Sequence, residues 1–243
     1  MKQLIKSLLS RFGYTIHKKR SSDFFVGFQP SFLAKICQPE TVIDIGVGYG
    51  TNALYKAFPG AKFILVEPLT EYKNAIEKVM KNYDYVVYYK AVSDTPGRQE
   101  FIVDTKDFET SSLEVRTSLT TTGNLLEKRV VEVTTLDDIF KESTSIKQPI
   151  LLKVDTEGHE LKALQGANTL LQVTDIVIAE VSIAKRFEGS YEFEELILFM
   201  KEHGFYLLTF LNITHLDGEL RPRFADIVFK RRDNLKNKDL LDG

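Results

Sequence analysis

Residues 41–51, TVIDIGVGYGT, constrain the fold more than any other part of this sequence. The β-branched residues predict a buried strand that ends at Asp44. Three glycines alternate behind it, namely Gly46, Gly48 and Gly50. Without a Cβ such a turn lets the backbone come close to a ligand, and the helical pattern at 52–58 would point its free N–H groups at the turn. This order of elements predicts an α/β fold with a site for a nucleotide-type cofactor.

Two acids narrow the choice of cofactor. Dinucleotide-binding enzymes favour the pattern G-x-G-x-x-G, whereas here the pattern is G-x-G-x-G and follows Asp44. A carboxylate at that place would repel a pyrophosphate but suits an ammonium group. A second hydrophobic strand, 63–66, ends at Glu67, about 20 residues beyond the turn, where an acid bonds the ribose hydroxyls. A ribose joined to a charged amino acid describes S-adenosylmethionine.

The overall composition is that of an intracellular enzyme. The chain has 243 residues and a hydrophobic content of 43%, which fits one α/β domain with a large core. Its net charge of −2 gives no general attraction to nucleic acid, so we expect no nucleic-acid partner. The single cysteine, Cys37, excludes a disulfide framework. Because no long apolar run predicts a transmembrane helix, we expect a cytoplasmic protein.

The first 20 residues depart from this neutral average. They carry cations but no acid, and apolar residues from Leu4 to Phe12 recur at helical spacing. One interpretation is a helix that rests on an anionic membrane surface, which would place the protein peripherally at the inner face of the membrane. The interpretation that we favour is a helix that covers the domain or a homodimer interface, because a short amphipathic segment alone binds membranes weakly.

Strand and helix patterns alternate along the rest of the chain. Strands are predicted at 85–89, 150–155, 175–181, 205–211 and 225–230, and helices at 70–81, 135–141, 161–171 and 191–203. This alternation predicts one doubly wound, mostly parallel sheet. The expected organisation is a basic amphipathic lead-in at 1–30, the main domain at 31–232 with inserted strands and a loop at about 97–134, and a polar tail at 233–243.

Six short motifs lie along the chain at 42–46, 66–68, 91–94, 111–113, 135–138 and 152–160, and the most specific is KVDTEGHE within the last. In their sequence and order these motifs resemble those of the FkbM family of S-adenosylmethionine-dependent methyltransferases. The resemblance spans about residues 40–230. It implies a seven-stranded class I methyltransferase fold, Rossmann-like, with helices on both faces. It also implies transfer of a methyl group to a hydroxyl, commonly of a sugar, a glycan precursor or a natural product.

Roles follow from position within these motifs. Asp44 and the three glycines are expected to hold the methionine end of the cofactor, and Glu67 its ribose. Asp94 would meet the adenine amino group, although it could equally be a turn former. The methyl transfer should occur near Asp155, Glu157 and His159, which are the candidate catalytic residues. The loops 105–124 and 183–190 are expected to shape the pocket for a small-molecule or saccharide acceptor.

The role of each catalytic candidate stays open. His159 could be the general base, since imidazole titrates near neutrality, or it could only support its neighbours. Glu157 could cap a helix instead, and Glu180, near the end of the next strand, is a fourth candidate. These four residues could also hold Mg²⁺, because hard cations prefer carboxylates, but their spacing is not diagnostic.

Two other classes of protein compete with the methyltransferase. A nicotinamide-dependent oxidoreductase would share the sheet and the ribose-binding acid, but the G-x-G-x-G turn after Asp44 counts against it. A non-catalytic cofactor-binding module would keep the fold. The acids at several strand ends count against this second alternative.

Overall fold

The computed structural model describes residues 27–117, 126–215 and 220–232. The strands are β1 (Thr41–Ile45), β2 (Lys62–Val66), β3 (Asp84–Tyr88), β4 (Ala91–Val92), β5 (Gly97–Asp104), β6 (Val115–Arg116), β7 (Leu126–Thr134), β8 (Ile150–Val154), β9 (Ile176–Ser182), β10 (Phe187–Glu188), β11 (Phe205–Thr214) and β12 (Phe224–Arg231). The helices are α1 (Pro30–Ile36), α2 (Asn52–Ala57), α3 (Lys73–Met80), α4 (Leu136–Glu142), α5 (Glu160–Gln165), α6 (Asn168–Val173) and α7 (Phe193–Glu202).

The central sheet has seven strands in the order β11-β12-β9-β8-β1-β2-β3. Neighbours from β3 to β9 pair in parallel, while β12 is antiparallel to both β9 and β11. The predicted doubly wound, mostly parallel sheet is therefore confirmed. Because β1, β2, β8 and β9 run the same way, their carboxyl ends meet at one edge of the sheet, where ligands bind in such folds.

The core lies on both faces of this sheet. Successive residues of β1 point to opposite faces, so Val42 packs with α2 and α3 residues while Ile43 packs with α5 and α6 residues. All five residues of β1 are buried. A strand covered on both sides reads as a continuous apolar run, which explains why the sequence marks it so clearly.

The insertion after β3 forms a second, smaller sheet. In it β7 pairs antiparallel with β5 and parallel with β4. The strands predicted within 97–134 are thus confirmed. The two-residue strand β6 pairs with β10, and this pairing brings the insertion against the loop before α7. Such short bridges leave no periodic pattern in a sequence.

Two predicted helices differ from those observed. The segment 161–171 forms two helices, α5 and α6, interrupted at Gly166. A Cβ on Gly166 would lie 2.2 Å from the carbonyl oxygen of Ser93, so the chain turns where its backbone touches β4. The segment 70–81 begins as a 3-10 turn, Thr70–Tyr72, before α3 starts. The predicted helix 135–141 is confirmed as α4, with Thr135 capping the Asp138 N–H at 3.0 Å.

The predicted helix within residues 1–20 and the polar tail at 233–243 lie outside the described residues. Among the helices that the structure describes, none has the length and apolar character needed to cross a membrane. Peripheral membrane contact, a homodimer and a cytoplasmic location therefore stay predictions.

Candidate active site

A cavity of about 430 Å³ opens at the carboxyl edge of the central sheet. Its lining includes the glycine turn, Glu67, Lys90 to Val92, Lys153, Asp155, Glu157 and His159, together with residues of the insertion such as Phe101 and Phe108. Most of the residues predicted from the sequence as site residues therefore share one crevice. The exceptions are Asp94 and Asp44, of which Asp44 has a side chain that is 0% exposed.

The glycine turn is shaped by a close approach between β1 and β8. Gly46 has a φ of +72°, and a Cβ there would lie 1.7 Å from the carbonyl oxygen of Asp155. Gly48 also has a left-handed φ, +52°, and open space around it. Only glycine adopts these values without strain, and only glycine fits at Gly46. The turn thus exposes bare backbone toward the cavity.

Glu67 holds the turn in place from the end of β2. One carboxylate oxygen accepts the Gly48 N–H at 3.0 Å, and the other accepts the Leu69 N–H at 2.9 Å. Burial raises the pKa of Glu67 to about 7, although these two bonds and the nearby Lys153 oppose the rise. A buried carboxylate that lines the cavity suits the predicted bonds to the ribose hydroxyls.

Asp44 belongs to a buried charge network that includes a residue missed by the sequence reasoning, Lys153. The Lys153 ammonium lies 3.3 Å from Asp44 Oδ1 and 3.3 Å from Asp155 Oδ2, and it donates to the Gly46 carbonyl at 2.9 Å. Burial opposes the charge of Lys153, but Asp155 and Asp44 outweigh it and raise its pKa above the ordinary value. The Tyr55 hydroxyl donates to the other Asp44 oxygen at 2.6 Å. The ammonium therefore fixes both acids beside the turn.

The segment after β8 forms a tight turn at the cavity wall. Glu157 has a φ of +52°, which is uncommon for a residue with a side chain, and Gly158 has a φ of +92°. A Cβ on Gly158 would lie 2.2 Å from the Phe187 ring. The buried Glu160 carboxylate accepts the N–H groups of Thr156 at 2.9 Å and Gly158 at 3.0 Å. Glu160 thus holds the strained conformation from inside.

The insertion contacts this turn through alternate residues. The Ser112 hydroxyl donates to the Glu157 carbonyl at 2.7 Å, Glu114 lies 2.8 Å from His159 Nδ1, and Arg116 lies 3.4 Å from the Glu157 carboxylate. The spacing of two is that of an extended segment with one face on the turn. These contacts were not predicted, because they join parts of the chain about 45 residues apart.

His159 is buried, and protein groups occupy both of its ring nitrogens. Nδ1 meets Glu114 at 2.8 Å and Nε2 meets the Ser93 hydroxyl at 2.9 Å. A general base needs a free nitrogen within reach of the substrate proton. The arrangement therefore favours the supporting role for His159 over the role of general base.

Asp94 is exposed and does not line the cavity. Its carboxylate accepts the Ser93 hydroxyl at 2.9 Å. The cavity is lined instead by the three residues before Ser93, namely Lys90, Ala91 and Val92. The placement thus gives no support to a contact between Asp94 and the adenine, and it fits the alternative of a turn former.

Three of the four proposed metal ligands lie together, but two of them are already paired with an arginine. Carboxylate oxygens of Asp155, Glu157 and Glu180 lie within 4.8 Å of one another, without His159. The guanidinium of Arg186 lies 2.6 Å from Glu180 and 2.5 Å from Glu157. A divalent cation would have to displace this guanidinium, so the residues present do not fit Mg²⁺.

One buried hydroxyl in the wall of the cavity lacks a partner. Tyr72 is 3% exposed, and within the described part of the chain its hydroxyl makes no hydrogen bond. Its ring contacts Tyr49 edge-on at 5.0 Å and Phe108 at 6.3 Å. An unpaired buried hydroxyl is costly, which predicts that a ligand bound in this cavity bonds to it.

The fold and the crevice define a class I, Rossmann-like methyltransferase that depends on S-adenosylmethionine. The model of the methyltransferase FkbM domain matches residues 44–207, and the chain belongs to this family. The predicted family and enzyme class are thus confirmed. The cavity lining fits this cofactor, because it combines the buried carboxylate of Glu67 with the bare backbone of the glycine turn.

No curated protein sequence matches the chain. Among solved structures, precorrin-6y C5,15-methyltransferase from Geobacter metallireducens is 10% identical, with a TM-score of 0.42 over 83% of this chain and 85% of that one. The ribosomal protein L11 methylase from Lactobacillus delbrueckii is 13% identical, with a TM-score of 0.41 over 83% and 76%. A TehB-like SAM-dependent methyltransferase from Corynebacterium glutamicum is 10% identical, with a TM-score of 0.39 over 95% and 96%. Likenesses this low say nothing about the acceptor.

Proposed function

We propose that this methyltransferase acts on the oxygen of a hydroxyl group, with a sugar, a glycan precursor or a natural product as its acceptor. The observation that carries the proposal is the exposure of Asp155. Its side chain is 32% exposed and lines the cavity, whereas the Asp44 side chain in the same network is 0% exposed. Asp155 is thus the acid of this network that an acceptor can reach.

The residues of the site divide into those that would bind the cofactor and those that would contact the acceptor. The glycine turn would hold the methionine end of the cofactor. Asp44 would contribute indirectly, because it pairs with Lys153, which donates to the Gly46 carbonyl. Glu67 would accept the ribose hydroxyls, exchanging part of its present bonding to Gly48 for them. The Tyr72 hydroxyl would gain a partner from the bound cofactor. These groups are contributed by β1, β2 and the turn that follows β2, so one rim of the sheet binds the cofactor.

The acceptor side follows from the chemistry of methyl transfer. Bound S-adenosylmethionine would supply an electrophilic methyl group to the acceptor oxygen and would leave as S-adenosylhomocysteine. The hydroxyl proton must leave at the same time. Asp155 would orient the hydroxyl and take this proton, and the Lys153 ammonium at 3.3 Å would keep the carboxylate in place. Glu157 is held by Arg186 and would shape the pocket.

Two variants separate binding from turnover. Asp44→Ala should abolish binding of S-adenosylhomocysteine, because it removes the buried anchor of Lys153 and Tyr55. Asp155→Asn should keep most of this binding and mainly lower turnover. Calorimetry with S-adenosylhomocysteine measures the first quantity, and transfer of a labelled methyl group to a panel of saccharides measures the second. The exposed Asp84→Ala is the matched control. Equal binding by the wild type and Asp44→Ala would refute the assignment.

The two competing classes make different predictions for the same protein. A nicotinamide-dependent enzyme should be stabilised against heat by NAD, whereas we expect stabilisation by S-adenosylhomocysteine alone. A non-catalytic module should bind S-adenosylhomocysteine but transfer no label to any acceptor in cell extracts. The family match weighs against the first alternative, and the open carboxylate of Asp155 weighs against the second.

A further inference from the structure

A second cavity, a groove of about 370 Å³, lies next to the acceptor side of the active site. We call it the basic groove, and its described lining is Thr117, Ala184, Lys185, Arg186, Leu220, Arg221 and Arg223. Four of these residues are cations and none is an acid. The chain as a whole has a net charge of −2, so this concentration of positive charge is local.

Among the described residues, the acids around the groove cancel only part of its positive charge. Arg186 is balanced by Glu157 and Glu180. Arg221, in contrast, donates to the Ile183 carbonyl at 2.6 Å, which fixes its guanidinium without neutralising it. Lys185 is paired with Glu192 at 3.4 Å, and both side chains are more than half exposed, so the pair is weak.

A single ion pair separates the basic groove from the active site. Arg186 lines the groove, Glu157 lines the cofactor cavity, and their charged groups lie 2.5 Å apart. The guanidinium also stacks over the rings of Phe187 at 5.1 Å and Phe224 at 4.4 Å, so this wall is rigid. The basic groove and the cavity that Asp155 lines are therefore neighbours that share this ion pair as their border.

We propose that the basic groove binds a phosphate or pyrophosphate group of the methyl acceptor, so that the acceptor is a phosphorylated saccharide. This inference rests on the proposed function, because it concerns the acceptor of that reaction. Guanidinium groups bind phosphate through paired hydrogen bonds, and lysine adds a point charge. The groove lies beside the turn at 156–159, so a phosphate bound there could position the rest of the acceptor. It would hold the neighbouring sugar with one hydroxyl at Asp155.

The first test is binding of inorganic pyrophosphate to the full chain, measured by calorimetry at low salt. We expect Arg221→Gln and Lys185→Gln each to weaken binding by about tenfold, since each removes a charge-assisted hydrogen bond. Arg98→Gln and Lys78→Gln remove the same charges from exposed positions away from the groove and should leave binding unchanged. Thermal unfolding verifies that each variant is folded. Equal loss in the groove variants and the controls would overturn the inference.

The second test compares sugars with their phosphates as methyl acceptors. We expect a lower KM for the phosphorylated form, and we expect Arg221→Gln to raise that KM at least tenfold with little change in kcat. Neutral sugars that are used as well as their phosphates would refute the groove as an acceptor site. S-adenosylhomocysteine binding, measured on every variant, keeps the two proposals apart. Its absence from the wild type would defeat the proposed function, whereas loss of pyrophosphate binding alone defeats only this inference.

Discussion

Replacement of Lys153 by methionine removes the ammonium that lies between Asp44 and Asp155. Methionine has a similar length and fits the buried strand, so packing changes little. What remains is a carboxylate at Asp44 that is 0% exposed and that, among the described residues, has no other cation in ion-pair contact. Removing one partner of a buried ion pair costs about 3–5 kcal/mol of unfolding free energy, since the other charge stays buried. We expect a loss of that size for Lys153→Met.

The matched control lies on β2, two strands away from β8 in the sheet. Lys62 forms a pair with Asp84 at 2.5 Å, but the Asp84 side chain is 73% exposed. Exposed pairs contribute about 0–1 kcal/mol, so Lys62→Met should cost no more than that. The double variant Asp44→Asn with Lys153→Met contains no isolated buried charge and should recover part of the lost stability.

Urea unfolding monitored by circular dichroism gives the free energy for each variant. The reasoning predicts a clear order, with the wild type and Lys62→Met close together, the double variant below them and Lys153→Met lowest. If Lys153→Met unfolds at the same urea concentration as Lys62→Met, the buried network does not stabilise the site, and our account of Asp44 is wrong.

Three further predictions concern the cofactor cavity. Gly46→Ala places a methyl group 1.7 Å from the Asp155 carbonyl oxygen at a left-handed φ, so stability should fall by more than about 1 kcal/mol. Binding of S-adenosylhomocysteine should be lost. Gly60→Ala, with open space around it, should behave as the wild type in the same calorimetry. The pKa of Glu67 is about 7, whereas its ordinary value is 4.5, so the Glu67 carboxyl in the free protein is protonated below neutrality. The affinity for S-adenosylhomocysteine should therefore rise between about pH 6 and pH 8. Glu67→Gln should bind it more weakly and with no pH dependence across that range. Tyr72→Phe removes an unpaired buried hydroxyl, so thermal stability should hold or rise while cofactor affinity falls; unchanged affinity would mean that no ligand bonds to this hydroxyl.

The cofactor end of the site could be predicted because its signals are local in the sequence. Asp44 and the alternating glycines follow a buried strand within a few residues, and Glu67 ends the next strand. Parallel neighbours bring such strand ends together without any further information. The same argument predicts that Asp155 lies at this edge of the sheet, and Asp155 does line the cavity. It gives Asp94 no such support, because Asp94 is exposed and the cavity is lined by the residues before it, Lys90 to Val92.

The contacts that shape the acceptor side could not be predicted in this way. Ser112, Glu114 and Arg116 reach the turn at 156–159 across about 45 residues. Ser112 lies in one of the family motifs, but no local pattern predicts what these three side chains contact. Lys153 could have been found, because a lysine within an otherwise apolar buried strand requires an acid partner. Glu160 stood in the recognised motif, but its buried bonds to the turn appear only in three dimensions.

The contacts of Ser112, Glu114 and Arg116 with the turn at 156–159 restrict how this scaffold could acquire a new acceptor. A chimera that exchanged residues 105–124 for those of another enzyme would remove the hydroxyl of Ser112 from the Glu157 carbonyl and the carboxylate of Glu114 from His159. The backbone at Glu157 would then lose a stabilising hydrogen bond from the insertion, even though none of the proposed catalytic residues had changed. Recognition and chemistry are coupled here through shared backbone, so a graft should retain 112–116 and vary only the flanking stretches.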